Sequence, residues 1–320
     1  MAFLSSRRRR SRLAPELDDQ DLGKLMKNLL ATTRASTVGM TDMCVAQISR
    51  LLERDPGDWD RRAHRMGVLA EFLAGWRLPR SWATREPRNA NALVLYAWSE
   101  VARARAYSQG SLEDAASVID SCLRAAELTP EDPTPWVVVL KAARLEHWEQ
   151  PQAFGVWNEV LARDRWNREA YLNMLSYLTP EEAGSRLQVL EFVDAACARM
   201  PANAPCAAME LTAQVLQYHS VLGRGGFEAL VARNHWSQAT AAQALDRAAH
   251  TWVQPGFLRH ARALADLNIL AYALMAADRR HEARAAFEAL GGTVAPWPWQ
   301  AGGDPLSEFE QAQQRVARGG

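Results

Sequence analysis

Thr129-Pro130-Glu131-Asp132-Pro133, Arg163-Asp164-Arg165-Trp166-Asn167 and Met200-Pro201-Ala202-Asn203 are three polar turns, each followed by an apolar run with helical spacing. The runs start at Pro135, Ala170 and Pro205, a constant step of 35 residues. A fixed period of this size is the mark of stacked helix pairs, because one pair cannot bury its apolar face alone. Proline fits the first turn of a helix and is disfavoured inside it, so each proline turn marks a boundary.

Working outward, the same punctuation appears earlier in the chain. Arg54-Asp55-Pro56-Gly57-Asp58 precedes Trp59, and Arg85-Glu86-Pro87-Arg88-Asn89 precedes Ala90; both run basic, acidic, proline. A longer connection near Tyr107-Ser108-Gln109-Gly110 absorbs the wider spacing before Pro130. The spacing predicts helix pairs at 91–107 with 112–128, at 136–147 with 153–163, and at 170–178 with 181–199. Thr179 is the expected N-cap of the last of these helices. Strand-type alternation is nearly absent, so the fold class is all-α. Six segments are expected: a disordered basic tail (1–16), an N-terminal helical region (17–54) broken at 32–41, a repeat array (55–222), a loop opened by Gly223-Arg224-Gly225-Gly226 (223–236), C-terminal repeats (237–296) and a tail (297–320).

One stretch carries a more specific pattern. Leu267, Leu270, Ala271 and Leu274, then Ala283, Phe287 and Leu290 with Pro296 beyond, give large, large, small, large, small, aromatic, large. This resembles the tetratricopeptide repeat. Trp136, Val139, Leu140, Ala143, Ala153, Trp157 and Val160 follow a similar order with a one-residue slip. The resemblance covers roughly residues 87–205 and 257–296, without the Gly-Tyr elements of strong members. It implies a right-handed superhelix of helix pairs, an α-solenoid, with binding groups on the first helix of each pair. Residues 55–71, with Pro56-Gly57-Asp58-Trp59-Asp60-Arg61-Arg62-Ala63-His64, are also similar to a Trp-rich bacterial family of helical-repeat proteins, a likeness that implies no activity.

Composition restricts the function classes. Basic and acidic residues both number 37, which argues against general nucleic-acid binding. Only Lys24, Lys27 and Lys141 are lysines among those 37 basic residues. Cys44, Cys122, Cys197 and Cys206 lack metal-binding spacing and read as reduced thiols. Four arginines from 7 to 10, with Arg12, lead into no apolar leader, and no run is long enough to span a bilayer, so a cytoplasmic protein is expected. The arginine cluster is expected to be a solvated tail rather than a nucleic-acid or lipid anchor. Asp18-Asp19-Gln20-Asp21 reads as acids at a helix start rather than as magnesium ligands. Gly223-Arg224-Gly225-Gly226 lacks the strand and the Lys-Ser/Thr of a phosphate loop. No cofactor and no metal site is expected.

The leading expectation is a noncatalytic scaffold that binds another protein or a peptide in the groove of the array. Asn91, Tyr96, Lys141, Arg144, Asn173 and Tyr177 are the expected groove residues, with a partner carboxylate meeting Lys141 and Arg144. An alternative is an enzyme pocket around Asp60 and His64, which are four apart and share a helix face with tryptophans nearby. A weaker alternative is RNA binding by helical hairpins. Most of the twelve tryptophans, Trp59, Trp98, Trp136 and Trp157 among them, are expected in the repeat core. The His147-Trp148 and His235-Trp236 dipeptides are expected to cap and pack rather than line a pocket. Trp297 and Trp299 are expected either to lock the tail onto the last pair or to offer a docking motif.

Overall fold

The structure, a computed structural model, describes residues 10–33, 40–107, 110–226 and 232–318. Among these residues the protein is all-helical, with fifteen α-helices, two short 3-10 turns and two strands of two residues each. None of these helices is long and apolar enough to cross a membrane. The chain divides into two compact units, one of Asp19–Met200 and one of Met1–Asp18 with Pro201–Gly320. Residues 1–9 (and with them Arg7 to Arg9), 34–39 of the expected break, Ser108 and Gln109, and 227–231 of the expected loop lie outside the described residues.

The Asp19–Met200 unit holds ten helices: α1 (Gln20–Thr33), α2 (Met40–Leu52), α3 (Trp59–Phe72), α4 (Leu78–Arg85), α5 (Ala90–Ala106), α6 (Ala115–Leu128), α7 (Thr134–Leu145), α8 (Gln150–Arg163), α9 (Arg168–Tyr177) and α10 (Arg186–Cys197). Their starts are written in the sequence. Asp58, Asn89, Asp114, Asn167 and Ser185 each accept a hydrogen bond from the backbone N–H three residues on. Each such cap contributes about 1 kcal/mol. Successive helices pack on one another from α5 to α10, and α3, α5, α7 and α9 also pack in turn, α3 on α5, α5 on α7, α7 on α9. The α3–α5 crossing is close: a Cβ on Gly67 would stand 2.9 Å from the Trp98 indole. Two arginines tie α6 and α8 back to the turns before α5 and α7. Arg124 donates to the Pro87 carbonyl at 2.7 Å, and Arg163 to the Pro130 carbonyl at 2.6 Å.

α10 starts later than the sequence suggests. Thr179 caps no helix; Ala183 N–H donates to the Tyr177 carbonyl and Gly184 N–H to the Thr179 carbonyl, closing a turn. The chain passes so close to itself here that a Cβ on Gly184 would lie 2.2 Å from the Leu178 carbonyl oxygen. Ser185 supplies the cap instead, and the helix runs from Arg186.

The second unit contains α11 (Met209–Gly223), a 3-10 turn (Ala232–Ser237), α12 (Ala239–Thr251), α13 (Ala263–Ala276), α14 (Arg280–Leu290) and α15 (Pro305–Arg318). α13 ends as α7 does. His147 and Asp278 both take a left-handed conformation, with the next N–H returning to Ala143 and Leu274 respectively, a helix-ending motif shared by the two best-matched repeats.

The N-terminal end differs from expectation, and the C-terminal end takes the first of the two forms expected for Trp297 and Trp299. Of the segment expected to be disordered, residues 10–16 are placed: β1 (Arg12–Leu13) pairs in parallel with β2 (Thr293–Val294), and Ala14 is fully buried. The backbone of an extended segment thus finds partners just past Gly291-Gly292, with Arg12 N–H donating to the Gly292 carbonyl. Residues 297–318, expected as a tail, enter the core. Trp299 is buried and donates its indole N–H to Asn268 Oδ1 at 2.9 Å, and α15 buries Phe309, Ala312 and Val316. Of the expected 223–236 loop, His235 and Trp236 are buried in the 3-10 turn. His147 serves a turn, so the two His-Trp dipeptides do different jobs. Cys44, Cys122 and Cys206 are buried and Cys197 is half-buried.

Half-buried aromatic groups gather in this second unit. His219 Nε2 lies 2.8 Å from the Tyr272 hydroxyl, and its ring stands 6.4 Å from Trp297. Burial lowers the His219 imidazole to about 4 and raises the Tyr272 phenol, so both are neutral near pH 7.

Two outcomes are expected. The native pKa of His219 lies below its ordinary 6.5, so the unfolded chain binds the extra proton below that pH. Stability contributed by this site is full above pH 6.5 and is lost as pH falls towards 4. The loss is about 2 kcal/mol, reduced from the full shift because the ring is partly solvated. Denaturant titrations across this range should show it, and His219→Gln should flatten the dependence. Gly184→Ala should lower the unfolding free energy by about 2 kcal/mol or more, since the backbone must move to admit a methyl group.

Candidate binding site

The expected groove residues divide into an internal network and a cleft. Lys141 and Arg144 lie one turn apart on α7, facing α9. Lys141 Nζ is 2.8 Å from Glu169 Oε2 and 5.2 Å from the centre of the Trp98 ring. Burial lowers the Lys141 pKa; Glu169 opposes that shift and the neighbouring Arg105 and Arg144 add to it. Arg144 donates to Asn173 Oδ1 at 2.6 Å and grips both oxygens of Glu182, one of them at 2.9 Å. Asn173 in turn donates to the Glu169 carbonyl at 2.7 Å. Lys141 and Arg144 thus already meet carboxylates of this chain, Glu169 and Glu182. Tyr177 is also engaged, its hydroxyl donating to the Trp148 carbonyl. Tyr96 is buried under the Arg80 guanidinium, 5.6 Å above its ring. These five residues hold helices together.

Asn91 has a different setting. It lines a cleft of about 600 Å³, open to solvent, in the Asp19–Met200 unit. Three turns build it: residues 52–59 between α2 and α3, residues 88–91 at the start of α5, and residues 129–132 before α7. Because α3, α5 and α7 pack in turn, the turns that open them meet at one edge. Trp59 and Leu52 give apolar surface, while Glu53, Asp55, Glu131 and Asp132 bring carboxylates against Arg62 and Arg88. Arg62 Nε and Asp132 Oδ2, both largely buried, pair at 2.8 Å. Asp132 also caps α7 through Oδ1, accepting from Thr134 N–H at 2.8 Å. The residue types were visible as charged turn residues around Pro56, Pro87 and Pro130; that they share one cleft follows only from the packing.

The Asp60–His64 alternative finds no support in this arrangement. His64 is 1% exposed and lies in the core near the buried Asp19. Asp60 is half-exposed, and neither residue is among those that line the cleft. Asp19 is a structural acid. It caps α1 by accepting from Leu22 N–H at 3.0 Å and takes Arg65 Nε at 2.7 Å. Burial pushes its carboxyl up, and these hydrogen bonds outweigh burial and hold it below the ordinary value. Among the described residues, no group of three or more His, Cys, Asp or Glu gathers as metal ligands.

Because Lys141 and Glu169 are nearly buried, removing one charge strands the other. Glu169→Gln should lower the unfolding free energy by about 3 kcal/mol. The double change Lys141→Met with Glu169→Leu should recover most of that loss in the same denaturant titration.

No family model, no curated protein and no solved structure matches the chain.

Proposed function

We propose that the protein is a binding scaffold whose Asp19–Met200 unit is a tetratricopeptide-like superhelical array, holding a segment of another protein at the cleft. The observation that carries this reading is the cleft itself, built from one turn of each of three successive repeats. Repetition places equivalent turns side by side, and rigid helix pairs hold their side chains in position before a partner arrives, which reduces the ordering cost of binding. The stacking of α3, α5, α7 and α9, the close Gly67–Trp98 approach and the shared turn at His147 and Asp278 support the repeat architecture.

The lining favours binding over catalysis. It contains carboxylates, guanidinium groups, amides, an indole and Thr129, whose hydroxyl donates to the Ala125 carbonyl, but no His, Cys, Ser or Lys. Four carboxylates against two arginines also disfavour a nucleic-acid backbone, which needs a basic surface.

A photo-reactive side chain at Arg88 should cross-link one protein from the native host. Asn91→Trp, which fills the cleft, should reduce that adduct about tenfold, the effect of blocking an anchor contact, with helicity unchanged. No adduct, or an undiminished one, rejects the assignment.

A further inference from the structure

We propose that the cleft anchors a cationic side chain, arginine or lysine, of its protein partner. The proposal rests on the peptide-binding reading above and adds the chemistry of recognition. Of the charged groups in the lining, Arg62 and Asp132 already neutralise each other at 2.8 Å. Asp55 is 3.0 Å from Arg65, which also serves the buried Asp19. Glu53, which accepts from Ser49 Oγ at 2.6 Å, and Glu131 are exposed on two different turns of the lining, together with the exposed Arg88. Trp59 is half-exposed and belongs to the same lining, and an indole face attracts a cation.

An anionic ligand is the competing possibility, since three helix starts border the cleft and each carries roughly half a positive charge. Those starts are already occupied. Asp58 caps α3, Asn89 caps α5 and Asp132 caps α7, two of them with full negative charges. At each start one first-turn N–H is already bonded within the chain, the carboxylates of Asp58 and Asp132 repel an anion there, and the exposed charge of the lining is mainly acidic. A cation gains from Glu53, Glu131 and the Trp59 face together, with its aliphatic stem against Leu52. Arginine suits the site best, because its planar head can meet a carboxylate and lie on a ring at once.

The test uses the full chain and a set of short fluorescent peptides identical except for one central residue: arginine, lysine, citrulline, glutamate or leucine. Fluorescence polarisation should show saturable binding of the arginine and lysine peptides, with citrulline at least about tenfold weaker and the tight binding falling as salt rises. Glu53→Lys with Glu131→Lys should weaken the arginine peptide about tenfold or more, Trp59→Ala should weaken it, and Glu191→Lys on α10 should leave it unchanged. Citrulline binding equal to arginine, or indifference to the double charge reversal, overturns the cationic anchor. Preferred binding of the glutamate or leucine peptide also overturns it while leaving the peptide-binding reading intact. No saturable binding by any peptide overturns the anchor, and the Arg88 cross-link then decides the broader reading separately.

Discussion

Trp98 is the side chain on which the Asp19–Met200 unit turns. Its indole lies against Gly67 of α3, where no Cβ would fit without movement, and under the Lys141 ammonium of α7. One ring therefore fixes the distance of α5 from a helix on either side. A nearly buried ammonium is expensive unless it is paired, and Glu169 of α9 provides the pair. The chain of contacts Gly67–Trp98–Lys141–Glu169 thus runs across four first helices. The only lysine beyond Lys27 stands at the centre of it.

That arrangement changes what the polar residues of these helices can do. Groups that look available on a helix wheel are consumed in holding neighbours together, as Arg144 is by Asn173 and Glu182. What stays accessible is the edge where repeat turns accumulate. Their side chains are short, polar and charged because turns must cap helices and stay solvated, and stacking brings several such turns within reach of one ligand.

The second unit shows a different route to stability. Its helix pair α13 with α14 is completed by chain from both ends: β1 against β2, and Trp299 with α15 over Phe287. Asn268 links these pieces, accepting from the Trp299 indole and donating to the Thr293 carbonyl. A helix pair at the end of a packed unit has one face without a neighbouring pair, and here aromatic and small residues cover it. Trp297 and Trp299 between prolines left two readings open, a locked tail or a docking motif, and the contacts of Trp299 with Asn268 and Phe287 match the first.

Local signals in the sequence determined the all-helical class, most helix starts and the pairing of successive helices. Proline, Asn, Asp and Ser act through their own backbone and the next three residues, so their effects need no knowledge of the rest of the chain. Asn91 was named from the resemblance, as a polar residue on the first helix of a pair, and that it lines the cleft follows from the packing. Only the tertiary structure decided that Lys141 and Arg144 face Glu169 and Glu182, that Thr179 closes a turn instead of starting a helix, and that the turns at Pro56, Pro87 and Pro130 form one cleft. Those outcomes depend on which residues distant in sequence are brought close. Pair formation between charges and the shape of a cleft are set by such distances, which no local pattern encodes.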